Sequence, residues 1–200
     1  MKILLVFIIT TFLLYSESLV TNSLIAKVEK EHGRFAKARF EALQKKLISL
    51  KDASTEQKLK EVNIFFNRVG YGEDSDIYGK SDYWATPYEF LARDKGDCED
   101  YVIAKYFALK ELGIAADKMY FTYVRVEGYE SAHMVLTYFE TKDSMPLVLD
   151  NLNKRLLPAA QRSDLKPVFN FNPNILNGDK ETNAHRQWDD LMKRFKEKKL

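Results

Sequence analysis

WATPYEFLARDKGDCEDYVIAKYFALKELG, residues 84–113, is the stretch whose reading decides the fold. Proline suits the first turn of a helix, where its missing N–H costs nothing, so Pro87 predicts a short helix over 87–93. Gly96 then breaks the chain. From Cys98 a second helix is predicted as far as 112, with Val102, Ile103, Tyr106, Phe107 and Leu109 forming a wide apolar face, and Gly113 closes it. The one cysteine of the chain thus stands where a loop enters a strongly patterned helix.

That position has a specific chemistry. Only the thiolate is a good nucleophile, and an ordinary thiol has a pKa of about 8.5. The first N–H groups of a helix have no intrahelical partners and point at such a residue. Their partial positive charge favours the thiolate, and the same groups can hold an oxyanion during acyl transfer. Free cysteines are often core residues, but Gly96, Asp97, Glu99 and Asp100 make poor core neighbours for this one. These acids, with Asp94 close by, pose a problem, because negative charge raises a thiol's pKa. Two readings stand side by side. The acids cap the helix start, or they hold a hard cation. An oxygen-rich group of this kind suits calcium, although the spacing is not that of an EF-hand.

Outward from this centre, residues 23–50 predict a helix with Phe35, Ala38, Ala42 and Leu43 along one face. Ser54 reads as an N-cap with Gln57 three residues on. The helix that follows carries Leu59, Val62, Ile64, Phe65, Phe66 and Val69 and stops at Gly70. Residues 71–86 read as a loop, with Glu73, Asp74 and Asp76 solvated in it. Downstream the period changes to two. Strands are expected at 119–126, at 132–139 (apolar on both faces and therefore central) and at 147–150. A polar, basic helix is expected over 181–199, with Lys193 to Lys199 solvated. Helices first and an antiparallel meander after them make an α+β fold.

The meander also supplies partners for the thiol. His133 lies between Ala132 and Met134 on the apolar strand, and Asp150 ends the next strand. Alone, the first could be a satisfied core histidine and the second a turn residue. Together, Cys98, His133 and Asp150 are the set a thiol hydrolase needs: nucleophile, base, and a carboxylate that fixes the imidazole's tautomer. Trp84 is either a donor or wall of a substrate cleft or a core aromatic. His32 and His185 lie on charged helices and read as surface residues.

Composition narrows the field. With 46% hydrophobic residues in 200, the chain has enough apolar material for one core. A net charge of +2 gives no ground for a nucleic-acid partner. A single cysteine rules out an intramolecular disulfide and a thiolate zinc site. Lys2, an apolar run over 3–15 and small residues at Ser16 and Ser18 read as an export signal, residues 1–18, cleaved after Ser18. That run is short for a membrane span, which needs roughly 20 residues, though an uncleaved anchor is the alternative. Residues 19–200 are then one catalytic domain working outside the cytoplasm.

Taken together, the 84–113 stretch, HMVLTYF at 133–139, LVLDNLNKRLLP at 147–158 and RSDLKPVFNFN at 162–172 resemble the bacterial transglutaminase-like cysteine proteinases. The resemblance runs from about Ile64 to Phe171. It implies a papain/transglutaminase-like fold with Cys98, His133 and Asp150 as the triad of a cysteine endopeptidase. It also implies a calcium ion bound through Asp97 and Glu99, to which Asp100 is a candidate addition, and activity that depends on that ion. The implied substrate is a large surface adhesin, cut near its N-terminus at a dialanine-type site in the periplasm and so released from the outer membrane during biofilm control. The implied partner is the periplasmic domain of an inner-membrane cyclic-di-GMP receptor that sequesters the protease. A transglutaminase or peptide amidase would use the same thioester chemistry and is the alternative.

Overall fold

A computed structural model describes residues 18–174 and 183–200. Among them are helices α1 (Asn22–Leu50), α2 (Thr55–Phe66), α3 (Asp74–Tyr78), α4 (Pro87–Arg93), α5 (Cys98–Glu111) and α6 (Asn183–Lys196). Strands β1 (Gly70–Tyr71) and β2 (Lys95–Gly96) make a short parallel pair. Strands β3 (Met119–Val126), β4 (Ala132–Tyr138), β5 (Leu147–Leu149), β6 (Leu157–Pro158) and β7 (Leu165–Phe171) form an antiparallel sheet in the order β6-β5-β4-β3-β7. The arrangement is α+β, with the helices leading and the sheet following.

Local chemistry sets the helix starts. Ser54 Oγ accepts the Gln57 N–H, as its position predicts. Thr86 and Glu89 form a reciprocal capping box ahead of Pro87. The central strand is β4, because both its faces are covered. Met134, Leu136 and Tyr138 enter the main core, against which α5 packs, while Val135 joins Val124, Val126 and Val148 in a smaller cluster. Gly96, one residue before the N-cap of α5, is needed for a different reason. A Cβ there would collide with Asp100 Oδ2 and with the Phe90 ring, 2.6 Å away.

Three expectations need correction. In α1 the buried face is Ala36, Phe40, Leu43, Leu47 and Leu50, whereas Phe35, Ala38 and Ala42 are exposed. The helix is kinked at Gly33, whose φ of 79° lies in the region that favours glycine, so the apolar phase resets there. Residues 71–86 are not simply a loop, since they contain the end of β1 and α3. Strand β7 was not expected. Pro167 disguises it, a residue tolerated because β7 is an edge strand with a register shift opposite Tyr123 and Val124.

Among the described residues no helix is long and apolar enough to cross a membrane. The export signal read in the sequence falls on residues 1–17, outside the described ones, apart from Ser18.

Candidate active site

Cys98 is the first residue of α5, and Asp97 is its N-cap. The β1–β2 pair sets Tyr71 beside Gly96 and so anchors the loop just ahead of the cysteine. The Cys98 thiol donates to Glu99 Oε2 at 3.1 Å. Burial pushes this thiol well above its usual range, Glu99 and Asp97 push it further, and the backbone N–H of Met134 pulls the other way. The expected benefit of the helix N-terminus is therefore outweighed by burial, with the neighbouring acids adding to it. The Met134 effect sets the sulfur near β4, the strand that carries His133.

On β4, His133 lies opposite Val124, and Asp150 directly follows β5. His133 Nε2 and Asp150 Oδ1 are 2.8 Å apart, and both side chains are buried. The other ring nitrogen, Nδ1, is thereby left as the one that can serve as a base. Asp150 is held from several sides. Oδ1 accepts the Leu152 N–H at 3.0 Å, Oδ2 accepts from Arg162 Nη2 at 2.7 Å, and its carbonyl accepts from Asn67 Nδ2 at 2.7 Å. Burial raises this carboxyl, but the bonds from His133, Leu152 and Arg162 outweigh it and hold Asp150 well below the usual carboxylate range.

The acids beside the cysteine divide into two groups. Asp74, Asp97 and Asp100 bring one oxygen each within 4.8 Å of one another, and Asp74, Asp82 and Glu99 do the same. Asp74, read in sequence as solvated, is 3% exposed and common to both groups. Some of their oxygens are occupied: Asp100 Oδ1 takes the Ala85 N–H at 2.7 Å, and Asp74 Oδ2 takes the Tyr83 N–H. Others are buried without a hydrogen-bond partner among the described residues, namely Asp74 Oδ1, Asp97 Oδ1 and Asp100 Oδ2. Burial, reinforced by Glu99, pushes Asp97 up to about 10 and Asp100 well above its normal value. Asp74 is pushed up to about 6, also by burial foremost. Converging carboxylate oxygens with unmet hydrogen-bonding capacity are the donor set of a hard divalent cation.

Comparison with known proteins fits this geometry. The model of the family described as bacterial transglutaminase-like cysteine proteinase BTLCP matches residues 31–164. The chain belongs to this family. Among solved structures it is similar to LapG of Legionella pneumophila, with 36% identity, a TM-score of 0.76, and coverage of 89% of this chain and 97% of that one. A calcium-bound LapG structure matches at 38% identity and a TM-score of 0.73, covering 88% of this chain and 98% of that one. An EGTA-treated one matches at 34% and 0.76, covering 89% and 97%. No curated protein matches. The α+β architecture is accordingly the transglutaminase-like protease fold.

Other sequence-derived candidates take different places in this proteinase. Trp84 is 2% exposed and packs in an aromatic cluster with Phe121 and Phe171, at ring distances of 6.2 and 6.3 Å. It is a core residue and not a wall of the cleft. The basic tail is not simply solvated. Arg194 donates to Glu89 and to the Trp84 carbonyl, and Phe195 stacks on Tyr88 at 5.0 Å. His185 is half-buried and sets its ring edge-on to Phe171. Reasoning from sequence missed Arg162 altogether. Its only local signal is Asp164 two residues on, which accepts from Nε at 2.9 Å.

Proposed function

We propose that this proteinase is a calcium-dependent endopeptidase with Cys98 as nucleophile, His133 as general base and acid, and Asp150 as the group that orients the imidazole. The observation that carries this reading is the convergence of three elements: the head of α5, the start of β4 and the end of β5, with the His133–Asp150 bond at 2.8 Å. His133 Nδ1 takes the proton from Sγ, and the sulfur attacks the peptide carbonyl. The backbone N–H groups at the head of α5 face the developing oxyanion. The imidazolium then gives its proton to the departing amine and leaves a thioester. Water attacks the thioester, His133 takes the water's proton, and the acid is released with the thiol restored.

Asp74, Asp97, Glu99 and Asp100 are the residues that would hold the ion. Bound there, calcium would supply positive charge that offsets the acids, which add to burial in raising the thiol. The calcium-bound and EGTA-treated LapG structures support calcium as the ion by similarity.

The substrate in this reading is a large surface adhesin, cut near its N-terminus in the periplasm and released to promote biofilm dispersal. The periplasmic domain of an inner-membrane cyclic-di-GMP receptor acts as inhibitor. The similarity to LapG over 89% of the chain supports this. Purified protein incubated with adhesin N-terminal fragments, in calcium and in chelator, tests it by mass spectrometry. The expected result is two fragments whose masses sum to substrate plus water, in calcium only. Crosslinked or deamidated products would assign the thioester to a transglutaminase or amidase instead.

A further inference from the structure

Behind the imidazole lies an alternating row of charges: His133, Asp150, Arg162, Asp164. Each link is a short hydrogen bond. Asp150 Oδ1 meets His133 Nε2 at 2.8 Å, and Asp150 Oδ2 meets Arg162 Nη2 at 2.7 Å. Arg162 in turn is clamped by Asp164, with Nη2 to Oδ2 at 2.7 Å and Nε to Oδ1 at 2.9 Å. The two inner members, Asp150 and Arg162, are 1% and 3% exposed, while the Asp164 side chain is 44% exposed. We infer that Arg162 is a positioning residue of the catalytic site, locking the Asp150 carboxylate and setting how strongly it favours the protonated form of His133.

Arg162 acts on Asp150 both geometrically and electrostatically. A carboxylate with one engaged oxygen can turn about its Cβ–Cγ bond. Here both oxygens are assigned, one to the imidazole and one to the guanidinium, so the plane that His133 meets is fixed. Arg162 suits this task because its planar fork reaches two carboxylates at once. Electrostatically, the guanidinium offsets most of the Asp150 charge inside the protein. Asp150 with Arg162 thus behaves more like a neutral, oriented acceptor than like a bare anion. An imidazolium beside it is stabilised less and returns its proton to a leaving amine more readily.

Other charged groups face this row. Lys105 of α5 is fully buried, with its ammonium pulled down to about 7 by burial while the charge of Asp150 opposes that fall. Cys98 and Glu99 lie at the head of α5, where the thiol donates to Glu99 Oε2. A readout specific to the imidazole is therefore required.

The inference rests on the assignment of His133 and Asp150 to catalysis, and the test separates the two. The chain has three histidines, so the His133 ring can be followed by NMR titration in the full-length mature Cys98→Ala protein, independently of turnover. Arg162→Met should move the His133 titration midpoint upward, and the acid limb of kcat/KM in the Cys98 enzyme, where the imidazole must be free to take the thiol's proton, should follow it. The same change should lower kcat roughly tenfold to a hundredfold with little effect on KM, as expected of lost orientation. Arg162→Lys should restore the midpoint but only part of kcat. Asp164→Asn, at a half-exposed site, should do the opposite to Arg162→Met. It unmasks the guanidinium, so the midpoint falls. A general loss of stability cannot produce shifts of opposite sign. Should Arg162→Met fail to fold, the Asp164→Asn arm still decides. If neither Asp164→Asn nor a folded Arg162→Met protein moves the midpoint, Arg162 is a structural ion-pair member only and the inference is overturned. Midpoints that shift as stated while activity proves independent of His133 would overturn the catalytic assignment and leave the electrostatic link standing.

Discussion

The two sides of Cys98 treat buried charge in opposite ways. On the imidazole side, Asp150 sits between His133 and Arg162, and Arg162 ends on the half-exposed Asp164, so negative and positive groups alternate out to solvent. On the other side, Asp74, Asp97 and Asp100 crowd together with Glu99 and keep three buried oxygens without hydrogen-bond partners among the described residues. In the first arrangement both oxygens of Asp150 have protein partners, and Arg162 Nη1 alone of its members is buried without one among the described residues. The second is stable only with protons or a cation, because bare carboxylates at that spacing cannot all ionise. One side is therefore built to hold a fixed geometry, and the other to respond to what it binds.

The largest effects should come from breaking the site at its centre. Cys98→Ala should lower turnover by on the order of 10^4-fold or more while circular dichroism and thermal melting stay close to the native protein's. Asp150→Asn should cost about 10^3- to 10^4-fold through loss of imidazole orientation. Turnover near the native rate in Asp150→Asn would reduce the imidazole side to an ordinary ion-pair network.

Next in size is removal of the cation. Chelation should inactivate the enzyme, and calcium should restore it better than magnesium does, because magnesium demands stricter octahedral geometry. Asp74→Asn should weaken calcium binding roughly tenfold or more in calorimetric titration, although Asp74 is 24 residues from Cys98 in sequence (98 minus 74). Unchanged affinity in that variant would remove Asp74 from the cation side and leave the acids near α5 to act alone.

The two sides should also differ in pH dependence. Asp74 and Asp97 have folded-state values raised from 3.8 to about 6 and about 10. Their protonated forms are the ones the metal-free fold favours. That stability is complete below about pH 4 and is lost as pH rises, first through 6 and then towards 10. Metal-free protein should accordingly melt at a falling temperature from pH 4 upward, and the rise in melting temperature on adding calcium should grow over the same range. Asp150 has the opposite sign. Its lowered value contributes stability that is lost only in strong acid. A flat metal-free curve from pH 4 to 9 would contradict the reading of the acids as unpaired.

The smallest effect concerns Lys105, whose Nζ is fully buried with no hydrogen-bond partner among the described residues. Lys105→Met keeps the shape and removes the unmet ammonium, so it should raise stability by roughly 1–3 kcal/mol in urea unfolding. A loss of stability instead would mean that Lys105 is a needed counter-charge to Asp150 and belongs to the paired side.

Much of the frame was legible in the chain because its signals are short. Pro87 marked the start of α4, Gly96 and Gly113 bracketed α5, and a change to strand-forming residues marked β3 and β4. Cys98, His133 and Asp150 stood out as residue types foreign to their surroundings. The failures also have physical causes. Gly33 reset the helical phase of α1, so a face drawn from Phe35 onward pointed to solvent. Pro167 hid an edge strand that pairs through the register of β3. Asp74 in a loop rich in Asp, Ser and Gly looked solvated, because nothing nearby tells that α3 is pressed against the head of α5.

Local periodicity, caps and breakers thus determined by themselves that a thiol would stand at the start of an apolar helix ahead of an antiparallel sheet. Which acids gather around it, and which charges pair behind the imidazole, only the tertiary structure decided. Helix and strand patterns are written over a few residues, where backbone geometry repeats. The approach of Asp74 to Asp97, or of Arg162 to Asp150 and through it to His133, depends on where packing brings separate elements together. No repeat in the chain encodes that meeting.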